Sequence, residues 1–575
     1  MLAGLVPLGD TPIEDDDTGE RTRLISFRDA WRGSDVAGEL DGLERLSRSG
    51  DAVSLLVQAG EVEQGILDAL HPDRDGWSPV IKALRDVTLA AARAFLGASN
   101  GDRARAALSA VPRDSLPTRI RIKAPEGYLH YALDPAAYAD SARRYAREAG
   151  GEQAARAVVL GIRSIGTSLS AVAAAALGTD RTVTLRPRGP SGGRTVEVDR
   201  ELGARLESWF ADGGDVLVVD EGPGSTGETF WCVRQWLRSM HVDDARIVLL
   251  PSGGGGMPLA PAERRDWFAS ARKFAPEPDP VRIRRIADQV GIGELKDLSW
   301  GGWRGEFNGG MDLPAAPNHE RLKFRGVAAD GSTCILRYAG LGRWGSEAVQ
   351  RARVLAEVDA GPAVLGAADG FITLRWIEGH PARRTDADLP SAAVRYLAAR
   401  AGRFRAGTPA DPRPLIVALE ENAREALGDG CTGLADAVHR LESLPEREAV
   451  IADARLQAHE WIRGPKGIVK VDAIDHGAGT RLPGPVDSAW DLAGAAVEFG
   501  MEDAAVAELV RMCASAAGED PRALADAVAA YRAPYTAACL SEATFARWEA
   551  GSDHEARVLD GEVNRYRTAL ASELG

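Results

Sequence analysis

Asp220 and Glu221 stand side by side after four apolar residues, Val216 to Val219, and a turn of Gly222, Pro223, Gly224, Ser225, Thr226 and Gly227 follows them. Adjacent carboxylates repel an anion but accept hydrogen bonds from vicinal sugar hydroxyls. Glycines let a backbone fold closely round a phosphate. The free amides of the helix expected from about Thr229 add the positive end of a dipole. Ser225, Thr226 and Thr229 bring hydroxyls to the same group. The spacing predicts a site for a ribose 5-phosphate, with its diol on the acids and its phosphate in the turn. Gly222 to Thr229 also has the spacing of a nucleotide-binding P-loop, but Glu228 stands where that loop needs its lysine, so like charges would meet. A solvated strand-to-helix turn is the plain alternative.

Short β-rich runs at 157–160, 182–185, 215–219 and 246–250 alternate with helical stretches. That alternation predicts an α/β domain with a parallel sheet, whose ligands bind beyond the carboxyl ends of the strands. Two further segments fall at such ends. Gly161-Ile162-Arg163-Ser164-Ile165-Gly166-Thr167 precedes an Ala-rich helix, and Arg186, Arg188 and Arg194 lie in a polar, Gly-rich segment. Arg163, Ser164, Gly166 and Thr167 suit a pyrophosphate, and the three later arginines suit a lid that closes over it. Tyr128, His130 and Tyr131, just upstream, are candidates for lining a pocket for a flat base.

The order of these loops resembles the type I phosphoribosyltransferase family. Four apolar residues, two acids and a Gly/Ser/Thr turn resemble its phosphoribosyl diphosphate (PRPP) loop, here one residue longer and carrying Pro223. The resemblance implies a glycosyltransferase that binds PRPP and Mg²⁺ and transfers the phosphoribosyl group to or from a small nitrogenous base. Asp220 and Glu221 would hold the sugar diol and the metal, and Arg163 would be catalytic at the departing pyrophosphate. Gly222, Gly224, Ser225, Thr226, Gly227, Thr229, Ser164, Gly166, Thr167, Arg186, Arg188 and Arg194 would bind the co-substrate.

Residues 312–575 resemble the aminoglycoside phosphotransferase-like, kinase-like α+β fold. The carriers are Ile335 to Gly340, Leu374 to Pro381, Gln457 to Gly477 and Gly484 to Gly494, where Asp487 and Asp491 sit at a helix start. A nucleotide is the ligand this implies. The departures fall on the chemistry: Arg337 takes the ATP-binding lysine's place, Arg351 lies near its acidic partner's place with Glu347 one turn early, and the catalytic His-Gly-Asp reads His459-Glu460-Trp461. Lys466 replaces a metal-binding asparagine, while Asp472 or Asp475 remains for the metal-binding acid. Three readings stay open: a phosphoribosyltransferase-type enzyme, a small-molecule kinase with a regulatory PRPP-binding half, and a non-catalytic nucleotide sensor.

These assignments divide the chain into a helical N-terminal region (1–112), a phosphoribosyltransferase-like domain (113–275), a linker (276–311) and a kinase-like domain (312–575). At 575 residues, three or four folded units is roughly the expected number. A formal net charge of −15 argues against nucleic acid or an anionic membrane as partner. Five scattered cysteines with no Cys-x-x-Cys suggest neither a disulfide framework nor a zinc site. No signal peptide or apolar span is evident, so a cytoplasmic protein is expected; oligomeric state has no signature in the sequence.

Overall fold

The computed structural model describes residues 24–26, 31–190, 192–224, 226–253, 257, 260–276, 280–307, 310–316, 320–428, 431–474 and 482–575. Its N-terminal region packs four helices, α1 (Val36–Ser49), α2 (Ala52–Leu70), α3 (Pro79–Phe95) and α4 (Gly101–Ser109). Strand β1 (Trp31–Asp35) pairs antiparallel with β2 (Arg119–Lys123) beside them. Helix α3 starts where its sequence says it should, with Ser78 accepting from the Ile81 amide and Pro79 in the first turn.

Three short elements, α5 (Glu126–Leu129), α6 (Pro135–Ala149) and α7 (Gly151–Arg156), lead into a five-stranded parallel sheet. Its strands are β3 (Val158–Ile162), β4 (Thr182–Leu185), β5 (Val216–Val219), β6 (Ile247–Leu250) and β7 (Arg272–Lys273), in the order β4-β3-β5-β6-β7. Crossovers run through α8 (Gly166–Leu177), α9 (Arg200–Ala211), α10 (Glu228–Ser239) and α11 (Ala262–Ser270). The strands are apolar on both faces, as a sheet covered by helices requires. Val159, Leu217, Val219, Val248 and Leu250 face α6 and α8, while Val158, Leu160, Val216, Val218 and Leu249 face α9 and α10.

The stretch 276–311, expected as a linker, carries α12 (Pro280–Gln289) and β8 (Ile292–Asp297). Its Pro-rich start does mark a boundary, but β8 pairs with β9 (Lys323–Ala328) and so belongs to the next sheet. That sheet has the order β11-β12-β10-β9-β8, with β10 (Thr333–Tyr338), β11 (Val364–Ala368) and β12 (Phe371–Arg375). Helix α13 (Gly342–Glu357) follows β10, and a helical lobe with the hairpin Trp461–Gly464/Gly467–Lys470 completes the chain.

The two halves share one core. Tyr338, Leu341, Trp344 and Phe371 are buried with Tyr128, Leu169 and Leu217 in a single apolar cluster. Among the described residues, no helix is long and apolar enough to cross a membrane.

Candidate functional site

Strand order reverses at β3, so the loops after β3 and β5 lie next to each other at the sheet's carboxyl edge. They touch: a Cβ on Gly166 would stand 2.7 Å from the Val219 carbonyl and 3.5 Å from Asp220 Oδ1. Gly224 and Gly227 take positive φ of 62° and 65°, which turns the chain back toward α10. No side chain caps α10, and Gly227 is its N-cap residue. The structure therefore brings Asp220, Glu221, Gly222, Gly224, Thr226, Gly227, Thr229, Ser164, Gly166 and Thr167 to neighbouring turns of one crevice. Ser225 lies outside the described residues. Ser164 is held at φ 147°, and the buried Thr167 hydroxyl has no hydrogen-bond partner among the described residues.

The acid pair is half-buried, each acid held on one side by a hydrogen bond. Glu221 Oε2 accepts from the Gly127 amide at 3.0 Å, and the Tyr138 hydroxyl donates to the Asp220 carbonyl at 2.9 Å. Burial raises Asp220 to about 7 against the weaker pull of Lys123 and Arg186. Burial, with Asp220 beside it, pushes Glu221 upward as well. Near neutrality this pair carries less than two negative charges. Among the described residues no group of three His, Cys, Asp or Glu side chains is placed to hold a metal ion.

The arginines expected at pyrophosphate are held elsewhere. Arg163 is 3 % exposed and its guanidinium pairs with Asp68 at 2.8 Å and Asp75 at 2.9 Å. Arg186 pairs with Asp68 and donates to the Gln64 side chain and the Arg163 carbonyl. Arg188 pairs with Asp75 and donates to the His71 and Pro72 carbonyls. Arg194 lies against Glu228, whose carboxylate also accepts from the Arg194 amide. The would-be lid is thus held at Arg186 and Arg188 by the end of α2 and the loop after it, and at Arg194 by Glu228 of α10. Tyr128 does not line a base pocket either: it is buried, and its hydroxyl meets Ser168 at 2.9 Å. His130 is buried against Arg321, and Tyr131 is exposed.

A second cleft, a cavity of about 130 Å³, lies in the C-terminal half and is walled by Trp303, Phe307 and Trp376. Arg337 on β10 reaches across it to Asp472, Nη2 to Oδ1 at 2.7 Å. Among the described residues the acid paired with Arg337 is Asp472, not an acid of α13; Arg351 donates to the Ile474 carbonyl at 3.0 Å, and Glu347 pairs with Arg32 at 3.1 Å. Glu460 pairs with Lys470 at 2.5 Å and Arg455 at 2.5 Å, and His459 stacks on Trp303 with its ring kept neutral by burial, near 4. Lys466 is exposed in the hairpin turn, and Asp475 lies outside the described residues.

An acid that the sequence reading passed over sits on the same segment. Asp453, fully buried, is bonded by the Tyr396 hydroxyl and lies 3.5 Å from Lys470. The Asp453 and Ala454 amides donate to Asp491, which burial raises to about 6. Asp487 pairs with Arg447 at 2.8 Å and accepts from the Ala489 amide, so both of these acids are structural supports. No local pattern marks Asp453, a lone acid between alanines.

No family model matches the chain, and no curated protein matches it. Among solved structures it is similar to a macrolide 2'-phosphotransferase type I, at 16 % identity over 50 % of this chain and 96 % of that one, TM-score 0.31. It is similar to the choline kinase LicA from Streptococcus pneumoniae at 13 % identity, over 51 % of this chain and 98 % of that one, TM-score 0.32. A choline/ethanolamine kinase family protein from Mesorhizobium loti has 18 % identity over 51 % of this chain and 97 % of its own, TM-score 0.33. The glycosyltransferase expectation is corrected here: these neighbours are phosphotransferases, not glycosyltransferases. Arg163, Arg186 and Arg188, moreover, are tied to Asp68 and Asp75 rather than offered to a pyrophosphate.

Proposed function

We propose that this chain is a kinase-like nucleotide-binding protein whose C-terminal cleft binds a nucleoside phosphate without transferring its phosphoryl group. The observation that carries this reading is the Arg337–Asp472 pair facing an aromatic-walled cleft. Trp303 and Trp376 offer flat apolar surface for a base, and Arg337, though paired with Asp472, lines the same cleft as the cation a phosphate would share with that acid. Phosphoryl transfer needs an acid to orient the nucleophile and metal ions to bridge the phosphates. Asp453 is enclosed by Tyr396, Lys470 and Asp491, and Glu460 by Lys470 and Arg455. Asp472 is the acid paired with Arg337 among the described residues. It suits one Mg²⁺ contact when a bound nucleotide supplies the other oxygens.

Calorimetry with ATP and Mg²⁺ tests this: wild type binds, Arg337→Ala binds at least about tenfold more weakly, and no ADP accumulates with wild type. ATP consumption that disappears in Asp472→Asn replaces the sensor reading with a phosphotransferase. A regulatory PRPP-binding half is the second reading, favoured by the uncapped start of α10 beside Asp220 and Glu221. Thermal stabilisation by PRPP with Mg²⁺, lost in Asp220→Asn/Glu221→Gln, reads it out separately.

A further inference from the structure

A cavity of about 680 Å³ belongs to neither cleft. It lies where the N-terminal helices, α12 and the start of α13 come together, with Phe95 on one side and Phe371 on another. That volume suits a small metabolite. Its charges are unequally committed. Asp51 accepts from the Ser54 amide as the N-cap of α2, and Asp134 accepts from the Ala136 amide and pairs with Arg282 at 3.4 Å. Arg282 also donates to the Ala132 carbonyl at 2.8 Å. Arg285 on α12 and Arg353 on α13 line the same space, are exposed, and have no ion pair or hydrogen bond among the described residues.

Two guanidiniums left unpaired in an otherwise acidic chain are suited to one doubly charged group. Gly342 and Ser346, in the first turns of the sixteen-residue α13, border the space, and no side chain caps that helix. Its amides add to the same field. Val53, Phe95, Leu341 and Phe371 give the wall its apolar surface, and Gln350 and the exposed Asp369 border the same space.

We propose that this junction cavity binds a small organic phosphate monoester, with its phosphate on Arg285 and Arg353 and its apolar body against Phe95 and Phe371. Because the walls come from the N-terminal helices, α12 and the second sheet's first helix, the ligand stabilises the joined form of the two halves. The assignment is independent of the nucleotide reading, since Arg337 lies in the other cleft.

Calorimetry on the full chain with phenyl phosphate, benzoate and inorganic phosphate tests it. Phenyl phosphate is expected to bind, and to bind more tightly than either partial probe. Arg285→Ala/Arg353→Ala, which alters exposed residues only, is expected to weaken binding at least about tenfold. Val349→Trp, which fills the cavity, gives the same loss by a second route, and Arg337→Ala changes nothing. Failure of phenyl phosphate to bind, equal binding by the double variant, inorganic phosphate binding as tightly as phenyl phosphate, or loss of binding in Arg337→Ala each overturns the proposal.

Discussion

Tyr128 and Tyr338, 210 residues apart in sequence, meet at the junction of the two halves: the Tyr338 hydroxyl donates to the Tyr128 carbonyl. The Leu341 amide donates to the same carbonyl at 2.9 Å. One residue earlier, the Gly127 amide is bonded to Glu221. The four-residue helix α5 is therefore tied at one side to the crevice acids and at the other to the strand that carries Arg337.

Tyr338→Phe removes one of two donors to a buried carbonyl. Because Leu341 still serves that carbonyl, the expected cost is about 1 kcal/mol rather than the full penalty of an unpaired group. Chemical denaturation measures the cost, and hydrogen exchange locates it. Amides 127–129 should lose protection, and unchanged exchange there counts against the contact.

Arg343 is the electrostatic half of the same junction. It pairs with Glu39 at 2.9 Å and Glu61 at 2.6 Å, while the Trp344 indole donates to Glu61 at 2.6 Å. Glu61 is 2 % exposed, and burial raises its pKa. Arg343→Ala leaves that carboxylate without its cation, at an expected cost of about 3–5 kcal/mol in urea denaturation at neutral pH. Adding Glu61→Gln should recover part of the loss. A single-variant cost below about 1 kcal/mol means the pair is in effect solvated.

The Arg163 cluster predicts an acid-side effect. Asp68 is drawn down to about 2 by Arg186 and Arg163 against its own burial. A depressed carboxyl stabilises the fold above its unfolded value, near 4, and loses that contribution as pH falls toward 2. Wild type should therefore lose unfolding free energy through that window, and Arg163→Met should lose less. Arg163→Met at pH 7 should itself cost about 1.5–3 kcal/mol, because Asp68 keeps Arg186 and Asp75 keeps Arg188 while each loses one charged donor. Parallel pH profiles for the two proteins sink this assignment.

What could be read from the sequence was local. Val216 to Val219 and Ile247 to Leu250 show as buried strands because a covered parallel strand is apolar throughout. The turn 222–227 is visible because glycines with positive φ have few substitutes. The fate of Arg163, Arg186 and Arg188 was not visible. Their partners Asp68 and Asp75 lie about a hundred residues upstream, at the end of α2 and in the loop after it, with no chemical signature, and long-range ion pairs leave no period or motif. The same distance hid Asp453, whose environment is made by Tyr396, Lys470 and Asp491. Strand β8 was hidden differently: its pattern of exposed and half-buried residues is that of an edge strand, which composition alone reads as linker.

Asp220 and Glu221 give the opposite pH dependence from Asp68. Burial raises Asp220 to about 7 and Glu221 also upward, with Asp220 adding repulsion to the latter. Lys123 and the Gly127 amide only partly offset this. Between the unfolded value near 4 and these raised values, the native state binds more protons than the unfolded chain. Stability then falls as pH rises through that window, and it levels off once both groups are ionised. Asp220→Asn/Glu221→Gln removes these two titrations, so the downward slope of unfolding free energy from pH 5 to 9 should become shallower, the raised Asp491 and Glu61 keeping their share. At pH 8.5 the double variant should be more stable than wild type by about 1–3 kcal/mol. Glu221→Gln alone should leave a shallower slope, because Asp220 remains buried. A double variant whose slope equals that of wild type means these carboxyls are solvated and ionised at neutral pH.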